Sequence, residues 1–177
     1  MTGQDTASGK GTEMEYRTDE DARAKVREMA DKAKFAMLAT YDRTGTAHSR
    51  PMVASAFDDD VLWFFTRAES RKVEELSRDP RVTVDYADGS GQNYASLVGT
   101  AEIRADRATV DRLWSEPMRT WFPEGKDDPA IRLVRVTVDS AEYWDTPSSA
   151  MVHAFGYVKA RLTGEPPAPG ETAHVEM

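Results

Sequence analysis

No cysteine occurs anywhere in the 177 residues, which removes disulfides, thiolate metal sites and thiol nucleophiles together. Basic residues are scarce beside acidic ones: 23 Lys plus Arg stand against 31 Asp plus Glu, a formal net charge of −8. A chain so charged has no general attraction for nucleic acid or an anionic membrane surface, so any basic cluster has to have a local reason. No apolar run approaches the roughly 18 residues that a membrane span requires, and the opening MTGQDTASGKGTEME lacks the apolar core of a signal peptide. A reducing, cytoplasmic setting is expected. His48, His153 and His174 are scattered without metal-ligand spacing, so no metal site is expected. Nucleophile-elbow, P-loop and dinucleotide-fingerprint glycine patterns are missing as well.

What is present is a pattern of short strands. Residues 1–15 read as a disordered polar tail, 16–164 as one folded domain, and the Pro-rich 165–177 as a second mobile tail. A capping-box start at Thr18 and Asp21 and apolar residues at helical spacing predict a helix over 19–34. The period then changes. Strands are expected at 35–41 and 46–57, joined by a turn at Gly45, and at 61–66, 81–88, 93–105 and 130–145. Short helices are expected within 70–79, closed by Pro80, over 106–114, capped by Asp106, and near 150–162, while EPMRTWFPEGKDDP reads as a loop. Six strands with hairpin-compatible links predict a mainly β fold with peripheral helices, an antiparallel barrel that covers its own edges.

The stretch FFTRAESRK puts Arg71 and Lys72 in the first turn of a helix, the end where the backbone dipole disfavours cations. Two readings remain open on the residues alone. The pair are surface cations screened by Glu69, Glu74 and Glu75, or they hold an anion together with Ser70. Arg50, on the neighbouring expected strand, favours an anion, because a third cation in one place needs a partner. The four Trp residues are expected in core or interface packing, with the core the leading place for Trp144 and a subunit seam the other.

SRPM (49–52), FFT (64–66), SRK (70–72), DPRVTV (79–84) and YASLVGTAEI (94–103), in that order, resemble the FMN-binding split barrel of the pyridoxamine-5'-phosphate-oxidase-like family. YWDTPSS (143–149) and GYVKARLTG (156–164) are similar to its bacterial general stress protein branch. The resemblance spans roughly residues 16–164 and implies a six-stranded split barrel, a homodimer, and FMN held at the subunit interface. Carried over by residue, Arg50, Arg71 and Lys72 would hold the phosphate with Ser70 and Thr66 close by. Pro51, Met52 and Phe65 would approach the ring and ribityl groups, and Tyr94 or Ser96 would come from another strand lining the site. Ser55 stands where pyridoxamine-phosphate oxidases have a basic residue, and their C-terminal Arg/His segment has no counterpart here, so that particular reaction is not expected. The resemblance leaves two functions open: a flavin-dependent oxidoreductase using a small-molecule electron donor or substrate, and a protein that binds flavin without turnover. A related barrel binding a deazaflavin or haem is the remaining alternative, with His48 or His153 as the axial ligand a haem requires.

Overall fold

The computed structural model describes residues 15–17, 20–89, 91–145 and 171–177. In chain order the elements are β1 (Glu15–Arg17), α1 (Glu20–Ala33), β2 (Ala36–Tyr41), β3 (Ala47–Met52), β4 (Ala54–Asp58), β5 (Val61–Arg67) and α2 (Arg71–Leu76). They continue with β6 (Arg81–Asp88), β7 (Asn93–Arg104), α3 (Arg107–Leu113), a 3-10 turn (Glu116–Thr120), β8 (Ile131–Asp145) and β9 (Glu171–Glu176). The Thr18 cap and the helix expected near 150–162 lie outside the described residues.

The described strands form one nine-stranded sheet. Antiparallel ladders run β3–β2–β6–β7–β8–β5–β4, and because β3 and β4 are joined through Val53 alone, the ladder returns to its start and closes a barrel. The six strands expected from the sequence are all in that circuit. The count is higher for two reasons. The strand expected at 46–57 breaks at Val53, where Pro51 has no N–H to donate and a register shift between Ala54 and Ala56 bends the chain from β2 towards β5. The other addition is a terminal pair. β8 gives its first half, Ile131 to Thr137, to β5 and leaves its second half unpaired on that edge; β9 takes Ser140 to Asp145, and β1 adds in parallel to β9. Residues 171–176, expected within a mobile tail, are therefore a strand, and Val175 is fully buried.

Alternation along the strands sends Leu38, Leu62, Phe64, Val84, Leu97 and Val136 into the barrel, each side chain contributing about 1.5–3 kcal/mol by leaving water. α1 closes this core with Ala22, Val26, Met29 and Ala30, the stripe its spacing predicts. Arg23 and Arg27, one turn apart, both grip Asp60 at 2.7 Å and tie the helix to the β4–β5 turn. A smaller core lies outside the barrel. Phe65 breaks the alternation of β5 and packs with Val110, Phe122, Ile131 and Leu133. The segment expected as a loop thus carries a 3-10 turn and buries Phe122, following α3, whose Asp106 carboxylate accepts from the Ala108 and Thr109 N–H groups as its position predicts.

Candidate functional site

A cleft of about 440 Å³ opens where β3 gives way to β4, within the size range of small-molecule sites. Pro51, Met52 and Val53 form the wall at the strand break, and Phe65, Thr66 and Arg67 form the wall at the end of β5. Glu69, Ser70 and Lys72 come from the start of α2, and Phe35, Met118, Trp121 and Phe122 complete the apolar side. The strand break explains the opening: an unbroken β3–β4 strand would place ladder hydrogen bonds across it.

The polar end is built by three side chains. Lys72 Nζ donates to Thr66 Oγ1 at 3.1 Å, and the Thr66 and Ser70 hydroxyl oxygens lie 2.9 Å apart. The Ser70 side chain makes no capping bond to α2, which leaves its hydroxyl to the cleft. Lys72 has no carboxylate within ion-pair distance among the described residues. Burial pushes its pKa down and the Arg50 charge pushes the same way, with Glu75 opposing them in part. An anion here would relieve both the lost hydration and the repulsion between the cations.

Arg50 and Arg71 are arranged differently from Lys72. Their common partner is Glu75, a buried carboxylate on the face of α2 one turn beyond Arg71. Arg71 Nε lies 2.7 Å from Glu75 Oε1, and Arg50 Nη2 donates to Glu75 Oε2 at 3.0 Å. Arg50 also donates to Thr40 Oγ1 at 2.5 Å and to the Leu38 carbonyl at 3.2 Å, while Thr40 donates to Glu75 at 2.5 Å. Arg71 donates to His48 Nε2 at 2.7 Å, beside Asp42. The three cations do not converge as three free charges: Lys72 faces the cleft, and Arg50 and Arg71 form the network behind it. The screening reading holds for Arg71, which Glu75 offsets.

Of the expected site residues, Pro51, Met52, Phe65, Thr66, Ser70 and Lys72 line the cleft, whereas Arg50, Arg71, Tyr94 and Ser96 do not. Tyr94 is exposed on β7, and Ser96 donates to Asp85 across the β6–β7 ladder at 2.6 Å. Trp144, expected in the core, is 37% exposed on the same outward face, paired in register with Tyr94. His48 accepts from Arg71 beside Asp42 and does not line the cleft, and His153 lies outside the described residues. Sequence reasoning missed Phe35, Trp121 and Met118 as cleft residues and Glu75 as the hub. Glu75 had a signal, its four-residue spacing from Arg71; the cleft aromatics come from distant segments and had none.

A profile for the family described as "Pyridoxamine 5'-phosphate oxidase like" matches residues 21–168. The chain belongs to that family. Among similar solved structures, a protein described as a candidate general stress protein 26 from Jannaschia sp. CCS1 is 27% identical, with a TM-score of 0.69 over 88% of this chain and 99% of the other. The general stress FMN/FAD binding protein of Xanthomonas citri is 30% identical, with a TM-score of 0.59 over 70% of this chain and 92% of the other. Protein bli-3 of Neurospora crassa is 28% identical over 145 residues, 75% of this chain and 69% of that protein. Both solved relatives are described as general stress proteins, that of Xanthomonas citri also as FMN/FAD binding, and the cleft described above lies inside the matched region.

Proposed function

We propose that this protein is a cytoplasmic flavoprotein that binds FMN in the cleft at the β3–β4 break and works as a homodimer. The observation that carries the reading is the cleft's two-ended chemistry: an apolar side suited to a flat ring, and a desolvated lysine with two hydroxyls suited to a phosphate monoester. Lys72, Ser70 and Thr66 would hold the phosphate, Arg50 and Arg71 would add positive potential from behind, and Pro51, Met52 and Phe65 would lie along the ring and ribityl chain. When bound, the flavin supplies electron or hydride transfer, and the protein binds and orients it and excludes water. The Xanthomonas citri relative, named for FMN/FAD binding, supports the ligand class. The dimer is supported by exposed apolar side chains on one sheet face, Met37, Tyr94, Val98 and Trp144, and by Phe35 and Trp121 at the cleft. Such a face lets Tyr94 and Ser96 serve the cleft of a partner subunit.

The visible absorption spectrum of the purified protein, with identification of the chromophore released on denaturation, tests this. Flavin bands and released FMN are expected, or their appearance after adding FMN; a protein that stays colourless and takes up no added FMN sinks the reading. A flavin carrier without turnover is the second reading. It is favoured by the cleft's charged side chains: Arg67 and Glu69 pair with each other at 2.6 Å, leaving Lys72 as the remaining ionisable group among those lining it. Sustained oxidation of NADH or NADPH by the loaded protein separates the two, since a carrier supports no steady turnover.

A further inference from the structure

Trp121 is the most exposed large apolar side chain among the described residues, at 67%, yet it is mounted on a fixed frame. Its neighbour Phe122 is buried, with ring centroids 6.0 Å from Phe65 and 6.4 Å from Trp114. The Trp121 backbone N–H donates to the Met118 carbonyl at 2.9 Å, and Arg67, itself held by Glu69, reaches the Trp121 backbone carbonyl at 3.5 Å. An indole held in water on a fixed mount forgoes the burial that aromatic rings normally gain, and this one lies on the wall of the cleft. The cleft is also polarised. Near Trp121, Arg67 is paired with Glu69 at 2.6 Å and lies 3.6 Å from Asp128, whereas Lys72, beside Thr66 and Ser70, has no carboxylate within ion-pair distance among the described residues.

We infer that Trp121 is a ring-binding residue of the cleft: the planar isoalloxazine lies against its indole, and the ligand runs from there to its phosphate at Lys72. This rests on the flavin reading above and adds a ligand contact and a direction to it. Offset stacking of the two π-systems covers the exposed indole, and the charged groups nearest it, Arg67 and Glu69, are paired with each other.

The test titrates the full-length wild type, Trp121→Ala, Trp121→Phe and Lys72→Ala with FMN and with riboflavin, which has the ring and no phosphate. Trp121→Ala should weaken both ligands by the same factor, about tenfold. Lys72→Ala should weaken FMN about tenfold or more and leave riboflavin nearly unchanged. Flavin emission, quenched on the wild type by the adjacent indole, should recover on Trp121→Phe, whose smaller ring keeps the wall and the affinity within a few-fold. Equal affinity and equal quenching in all Trp121 variants overturn the inference. A loss in Trp121→Ala confined to FMN does so too, by moving Trp121 to the phosphate end. A Trp121 variant that dissociates into monomers with flavin emission still quenched gives the residue to a subunit contact instead. If the wild type takes up neither ligand, the flavin reading itself fails, an outcome distinct from all of these.

Discussion

Glu75 carries a full charge in the interior because three partners hold it there. Burial opposes its ionisation, but the Thr40 hydroxyl, the Arg50 guanidinium and the Arg71 charge outweigh burial and keep its pKa below the ordinary 4.5. Removing the carboxylate strands Arg50 and Thr40 together, so Glu75→Ala should cost about 3 kcal/mol of stability, measured by urea unfolding at neutral pH. The pH dependence follows from the direction of the shift. With a folded pKa below the unfolded one, the contribution is fully present above about pH 4.5 and is lost as pH falls through the folded pKa. The gap between the unfolding midpoints of the wild type and Glu75→Gln should therefore narrow as pH falls below about 4.5. A gap that stays constant over that range would show that the charge of Glu75 does not stabilise the fold.

Among the elements, the β7–β8 ladder is the longest pairing, and it contains one irregularity, a register shift between Val98 and Gly99. A Cβ built on Gly99 would meet the Thr137 carbonyl oxygen at 2.1 Å, so no side chain fits without prising the strands apart. Gly99→Ala should cost about 3 kcal/mol or more, seen as a lower thermal midpoint. Gly45 provides the comparison: its φ of +81° asks for glycine, yet nothing lies within 4 Å of an added Cβ. Gly45→Ala should cost only about 1–2 kcal/mol from backbone strain. If both variants melt alike, the crowding at Thr137 is not what fixes Gly99. The two glycines also differ in legibility. Gly45 was readable as a turn because its reason is local, between two strands of a hairpin. Gly99 was readable only as a letter in a familiar motif, since its reason is a carbonyl on another strand.

At the scale of the whole molecule, one face of the sheet carries several exposed apolar side chains among the described residues. Met37, Tyr94, Val98 and Trp144 all point outward, and cross-strand register places them on the same side: Met37 opposes Asp85, which opposes Ser96, and Tyr94 opposes Trp144. In the proposed dimer this face is buried. Val98→Asp, placing a charge where the side chain is 50% exposed in the single chain, should reduce the mass seen by light scattering to that of the 19.7 kDa monomer. Flavin affinity should fall with it, because the proposed site is shared between subunits. A wild type that already scatters as a monomer removes the dimer from the proposal, and a Val98→Asp dimer moves the interface elsewhere.

Periodicity by itself determined the strands of the barrel, the buried stripe of α1 and the cap at Asp106, because each depends on residues within a few positions of one another. Motif order added Lys72, Ser70, Thr66 and the Pro51–Met52 wall of the cleft. Tertiary structure alone decided that the strand expected at 46–57 breaks at Val53, that β9 fills the edge β5 vacates, and that Glu75 claims Arg50 and Arg71 while Lys72 faces the cleft. Each of these depends on which distant groups meet, and a buried carboxylate pairs with whatever cations the fold brings within reach.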